Sequence, residues 1–196
     1  MSNWLNSNSF NEKDEYYTPV VLVNAIVPYI PANMHTIWCP FDTENSEFAR
    51  VFRSLGYKVI CSHIWNGQDF FSYEPSEPYD CIISNPPFSK KLQVFARLYE
   101  LNKPFAMICG LPILNYQVIG EFFVGRDLQL LIVDKKVSFD GNTASFNNSY
   151  FCRRFLPQDI IFQHIDHNNT GENFTASSMA HDFYGRSDSQ CTVQHM

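Results

Sequence analysis

Tyr79-Asp80-Cys81-Ile82-Ile83-Ser84-Asn85-Pro86-Pro87-Phe88 is the stretch on which the reading of this chain turns. Its first six residues are a short, largely apolar run and read as a buried strand. Two prolines end that strand, because neither has an N–H to donate to a ladder. The residue before a proline is pushed to extended geometry. Asn85 is therefore held rigidly at the carboxyl end of a strand, where open α/β sheets place their ligand crevices.

The side chains at that point suit an amino group attached to a planar ring. Such a nitrogen is a poor nucleophile, since its lone pair is delocalised into the ring. The Asn85 side-chain oxygen can accept one N–H and the Pro86 carbonyl the other. Two acceptors fixed in place favour the nitrogen as it turns pyramidal on attack. Phe88 offers a flat face for the ring. No general base is required before attack, because the proton can leave afterwards.

In this setting, Asn85-Pro86-Pro87-Phe88 resembles the catalytic motif of the N6-adenine DNA methyltransferases. The resemblance covers residues 14 to about 156. It implies a three-layer Rossmann-like α/β fold, with a mostly parallel seven-stranded sheet and a terminal antiparallel hairpin. It also implies S-adenosylmethionine as cofactor and adenine-containing DNA as partner. Catalysis would rest on Asn85, Pro86, Pro87 and Phe88. The small size and the lack of a second domain to read a target sequence resemble phage or prophage enzymes of this family.

Composition sets bounds on that reading. A chain of 196 residues with 45% hydrophobic content is long enough for one domain with a sizeable core. Residues 1–165 read as that domain. Residues 166–196 turn polar and read as a poorly ordered tail. No apolar run reaches membrane-spanning length, and the polar start, Met1 to Asp14, has no signal-peptide pattern. Six scattered cysteines with no CxxC pair point to buried thiols in a reducing cytoplasm. His164 and His167 have no third partner at metal-ligand spacing, so no metal is expected. The net charge of −6 is unusual for a protein that meets nucleic acid, so any DNA contact has to come from a local patch. No oligomeric state is implied.

The resemblance also distributes the cofactor contacts. Tyr17-Thr18-Pro19 precedes an apolar helical pattern running from Val20 to Ile30, with Thr18 as N-cap and Pro19 as first helical residue. In the family such a segment meets the amino-acid end of the cofactor. Thr36 to Cys39 reads as the first strand, and Pro40 to Ser46 as its loop. Relatives have Pro-Phe-x-Gly-x-Gly-Ser at this place. This chain keeps Pro40, Phe41 and Ser46, with Cys39 and Asp42 in the same segment. It carries Thr43 and Asn45 where glycines are usual, and a β-branched Thr43 reaches positive φ only at a cost. After the second strand, Tyr57 to Cys61, the family has an acid for the ribose; here Ser62 and His63 stand instead. Asp69 and Phe70 match an Asp-Phe pair that meets the adenine.

Further strands are expected at Pro104–Leu111, at Leu128–Val133 continuing through Asp134–Phe139, at Ser145–Cys152 and at Ile160–Ile165. Helices are expected after Ser46, after Lys91, and at Asn115–Val124. Lys90, Lys91, Lys135 and Lys136 are the candidates for DNA-facing charge, with Arg153 and Arg154 as further members of a basic rim. Two other functions remain open. One is methyl transfer to RNA or to a protein glutamine amide. The other is a binding protein that kept the fold without catalysis, which the absent glycines and the absent ribose acid favour.

Overall fold

The structure is a computed structural model that describes residues 18–139 and 148–165, and of Phe88 the backbone alone. Tyr17, His167, Cys191, the loop at 140–147 and the tail from 166 onward lie outside the described residues.

Seven strands form one sheet: β1 (Thr36–Cys39), β2 (Lys58–Cys61), β3 (Cys81–Ser84), β4 (Phe105–Gly110), β5 (Gln129–Val133), β6 (Asn148–Arg153) and β7 (Ile160–Gln163). Their order is β2-β1-β3-β4-β6-β5-β7. β1 to β4 pair in parallel, and β6 runs antiparallel to both β4 and β5. β7 runs parallel to β5, so β6 is the one reversed strand of these seven. The Rossmann-like fold and the mostly parallel sheet are as expected, with one difference. The antiparallel pair does not end the sheet, because β7 adds a further parallel strand outside it.

Among the described residues, four α-helices flank the sheet: α1 (Val20–Ile26), α2 (Glu47–Ser54), α3 (Lys91–Leu101) and α4 (Gln117–Phe123). The inner strands β1, β3, β4 and β6 are buried on both faces, and their side chains alternate between two cores as the pleat requires, while the edge strand β7 exposes Ile160 and Phe162. Ile37, Cys39, Cys81, Ile83, Ala106, Ile108, Tyr150 and Cys152 pack with α1 and α2. Trp38, Ile82, Phe105, Met107, Cys109 and Phe151 pack with α3 and α4. Three layers result, because each strand buries one residue in two against each helical layer. A buried hydrogen bond from Tyr150 Oη to the Leu22 carbonyl, 2.8 Å long, fixes α1 to β6.

Local chemistry sets the element ends. Ser46 caps α2, its Oγ accepting from Ala49 N at 3.2 Å. Gly56 follows in left-handed geometry with φ 90°, as a helix C-terminus favours. β2 is an edge strand, and Arg53 covers its outer side by donating to the Val59 carbonyl while pairing with Glu44. That blunts an edge otherwise open to another chain.

Two boundaries differ from expectation. α1 starts at Val20 with Pro19 as its N-cap, so Thr18 lies one residue too early to cap it. Asp134 to Phe139 do not continue β5. Asp134 Oδ1 instead accepts from Ile165 N at 3.1 Å, and its own N–H goes to the Gln163 carbonyl. The chain is thereby turned off the sheet at the level where β7 ends.

Asp80 joins the starts of β1 and β3. Its Oδ2 accepts from His35 N at 2.7 Å and Thr36 N at 2.9 Å. Those two backbone hydrogen bonds hold its carboxyl below the usual range. A depressed folded-state value means the contribution is present above the unfolded value of about 3.9 and is lost as pH falls through the folded one. Asp80→Ala is expected to cost about 1–3 kcal/mol at pH 7, leaving two backbone donors unmet. The gap between variant and wild type should narrow as melting is followed downward from pH 6 into the acid range below the ordinary carboxylate value. A gap independent of pH would remove Asp80 from this role.

Candidate functional site

Strand order reverses between β1 and β3, since β1 has β2 on one side and β3 on the other. Such a switch point opens a crevice at the carboxyl ends of the two strands. The segments leaving those ends are Pro40–Ser46 after β1 and Asn85–Phe88 after β3. The fold thus brings the expected cofactor loop and the Asn-Pro-Pro-Phe stretch together.

The β1 loop reaches its geometry without glycine. Among the described residues, the only non-glycine positions with positive φ are Asn102 and Arg154, so Thr43 and Asn45 are not strained. A turn closes the loop instead, with Ser46 N donating to the Thr43 carbonyl at 3.0 Å. Asp42 and Ser46 are buried within it, and Phe41 is half-buried.

Ser84, the last residue of β3, ties this loop to the next. Its Oγ donates to Asp42 Oδ2 and accepts from Phe41 N at 3.3 Å. The sequence reading missed Ser84. The signal was there, as a lone hydroxyl ending the apolar run Cys81-Ile82-Ile83. Asn85 follows, half-buried, and Pro86 is buried beside it. Phe88 opens a 3-10 turn that leads into α3.

Phe70 reaches the same place from the segment after β2. It is buried, 4.9 Å from the ring of Phe41 and 5.5 Å from that of Trp38. Asp69 sits beside it, half-buried, its Oδ1 accepting from Phe71 N at 3.1 Å.

The two residues in place of the ribose acid are engaged elsewhere. Ser62 is 1% exposed, and its Oγ accepts from Trp38 Nε1 at 2.9 Å. His63 is 3% exposed, and its Nδ1 accepts from Trp65 N at 3.2 Å. Thr18 is buried just ahead of α1, and no hydrogen bond ties it to the loop residues above. The β1 loop, Phe41, Phe70 and Asp69, the residues expected at an adenosyl ligand, lie together beside the switch point, with Phe70 buried. The residues expected at the ribose, Ser62 and His63, are instead buried and bonded to Trp38 and to Trp65 N.

Cys39 ends β1 wholly buried. Burial first, then the neighbouring Asp42 carboxylate, pushes its thiol well above the ordinary range, so it is neutral at pH 7. It is no nucleophile. The described cysteines are free thiols.

Of the expected basic residues, Lys90 and Lys91 follow the Asn85 stretch directly, and Lys90 Nζ stands 5.5 Å from the ring centre of Phe71. Lys135 and Lys136 follow β5, whose carboxyl end faces the same edge, three strand positions or roughly 14 Å from β3. Lys135 donates to the Ile165 carbonyl at 2.8 Å, and Lys136 is exposed. Arg153 and Arg154 are at the other end. Because β6 is reversed, Arg153 pairs in register with Phe105 at the start of β4, so neither arginine can rim this crevice.

No family model and no curated protein matches the chain. Solved structures with a similar fold include a type I restriction-modification methyltransferase subunit from Streptococcus thermophilus. It is 11% identical with a TM-score of 0.48, over 76% of this chain and 47% of that one. Another is described as a class I S-adenosylmethionine-dependent methyltransferase, from Listeria monocytogenes, at 9% identity and TM-score 0.48, over 80% and 68% of the two chains. A third is a modification subunit of a type I restriction enzyme from Vibrio vulnificus YJ016, at 13% identity and TM-score 0.44, over 85% and 50%. The chain spans about half the length of the two restriction-system subunits. At such identities no residue role passes from them to this chain. Among the described residues, no group of three His, Cys, Asp or Glu side chains could hold a metal ion, and no helix is long and apolar enough to cross a membrane.

Proposed function

We propose that this chain is a methyltransferase that carries the methyl group of S-adenosylmethionine to N6 of adenine in DNA. The observation that carries the reading is Asn85-Pro86-Pro87-Phe88 at the carboxyl end of β3, against the β1 loop at the switch point of the sheet. When bound, the cofactor supplies an electrophilic methyl on a sulfonium. Pro40–Ser46, Phe41, Phe70 and Asp69 would hold it. Asn85 Oδ1 and the Pro86 carbonyl accept the two hydrogens of the target amine, so the nitrogen lone pair is free to attack. The new N–C bond would form as the methyl's S–C bond breaks, the electron pair staying on sulfur to leave S-adenosylhomocysteine, and the amine proton would then leave to solvent. Phe88 stacks on the base, which has to be flipped out because N6 cannot be reached in line within a stacked duplex.

Product analysis after incubation with labelled cofactor and DNA, RNA or protein tests the reading. Label in N6-methyladenine supports it, and label only in RNA or in glutamine amide overturns the DNA assignment. A second reading, a non-catalytic binding protein, is favoured by the burial of Ser62 and His63 in hydrogen bonds to Trp38 and to Trp65 N. Calorimetric titration separates the two: no cofactor binding at millimolar concentration favours the binding protein.

Asp69→Ala is expected to weaken cofactor affinity by about tenfold, roughly 1.4 kcal/mol, in the same titration. Unchanged affinity would remove Asp69 from the site. Lys90→Ala/Lys91→Ala is expected to weaken DNA binding. The slope of log affinity against log salt should flatten by about one for each phosphate that a lysine no longer meets. An unmoved slope would make these lysines merely solvated.

A further inference from the structure

Ser84 has no part in the chemistry above, yet it stands between the two segments that do. It is 0% exposed and Asp42 is 8% exposed, and the hydroxyl of one donates to the carboxylate of the other. The backbone ladder between β1 and β3 cannot continue past Cys39, because Pro40 has no N–H. The Ser84 hydroxyl replaces it for one more step by accepting from Phe41 N at 3.3 Å. A hydroxyl has a single hydrogen, and here it is committed to Asp42, so both hydrogen bonds have a fixed direction. Beyond Ser84, the chain offers little slack. Asn85 is restricted by Pro86, and two successive prolines have locked φ. A movement of Ser84 is therefore passed to Asn85 rather than absorbed.

We propose that the Asp42–Ser84 hydrogen bond is a coupling element, with Ser84 a positioning residue for Asn85. Closure of the β1 loop on its adenosyl ligand and the setting of Asn85 for a ring amine are one linked equilibrium. The inference rests on the methyl-transfer reading for the identity of the two ligands. By linkage, each ligand tightens the other by the same factor.

The test uses S-adenosylhomocysteine, which cannot react, and a short adenine-containing DNA oligonucleotide. Oligonucleotide affinity is measured with and without the nucleoside in the wild type, Ser84→Ala, Asp42→Ala, Ser84→Ala/Asp42→Ala and Asp42→Asn. The wild type should show tighter oligonucleotide binding when the nucleoside is present, by on the order of tenfold. Each alanine variant should bring that ratio close to one, and the double variant should lose no more than either single. Asp42→Asn keeps an acceptor for the hydroxyl and should retain much of the ratio, a rescue that mere loss of packing does not predict. A wild type that binds both ligands without coupling overturns the proposal, as does a Ser84→Ala variant that keeps the ratio.

A ligand-free arm separates this from failure of the functional reading. Asp42→Ala should speed amide exchange at Phe41 and shift the Asn85 side-chain NH2 resonances. If the wild type binds no nucleoside, methyl transfer is refuted. In that case, unmoved Phe41 exchange and Asn85 resonances overturn the coupling element as well.

Discussion

Asn85→Ala is expected to slow methyl transfer by about 10²–10³-fold, the effect of deleting one preorganised polar group that faces a developing charge. In the proposed reaction the amide oxygen acts mainly in the transition state, as the amine nitrogen turns from planar to pyramidal. Cofactor affinity should change little, because the proposed reaction assigns the adenosyl ligand to the β1 loop, Phe70 and Asp69 and not to Asn85. The melting temperature should also hold, since Asn85 ends no helix and pairs in no ladder register. Phe88→Tyr is expected to keep substantial activity, and Phe88→Ala to weaken base binding by about 1–3 kcal/mol through the loss of stacking. Melting temperature, cofactor affinity and rate measured on one Asn85→Ala preparation decide the matter. A variant that methylates adenine at near wild-type rate would sink the assignment. So would one whose missing activity is fully explained by a fall in melting temperature.

Trp38→Ala is expected to have the largest effect on stability. Trp38 is wholly buried on β1, with its ring centre 5.0 Å from that of Tyr79 and 5.5 Å from that of Phe70. Its indole N–H meets Ser62 Oγ. Removing the ring leaves a cavity in the α3/α4 core and a buried hydroxyl without its donor, a loss of about 3–5 kcal/mol. At about 2–4 °C per kcal/mol for a chain of this size, melting should fall by roughly 6–20 °C. Trp65→Ala is the matched control. Trp65 is 59% exposed, and its replacement should stay within about 0.5 kcal/mol. Equal losses at the two tryptophans would contradict the division into core and surface.

The sequence alone was enough to predict the elements that depend on near neighbours. Thr36–Cys39 is a strand at its predicted bounds, because four β-favouring or apolar residues stand between a polar loop and Pro40. The start of α2 falls where the sequence places it, near Ser46 or Glu47, because a hydroxyl before an amphipathic run can serve the first free N–H groups, and the structure shows Ser46 in that capping role. Two prolines after an apolar run place Asn85 at a strand's end whatever surrounds it. These are decisions of hydrogen-bond supply and φ restriction over a few residues.

Tertiary structure decided what depends on partners far along the chain. The Ser62 hydroxyl meets Trp38 across 24 residues, and the Ser84 hydroxyl meets Asp42 across 42. A one-dimensional pattern tells which face a side chain takes, since the period of a strand is two, but not which strand lies next to it. Strand order settled the rest. β6 inserts in reverse between β4 and β5, which puts Arg153 beside Phe105 at the far edge of the sheet while Lys135 and Lys136 stay on the near one. Both groups are basic pairs at strand ends in the sequence. Only the direction of pairing distinguishes them, and direction is set by which edges meet when the sheet closes its core.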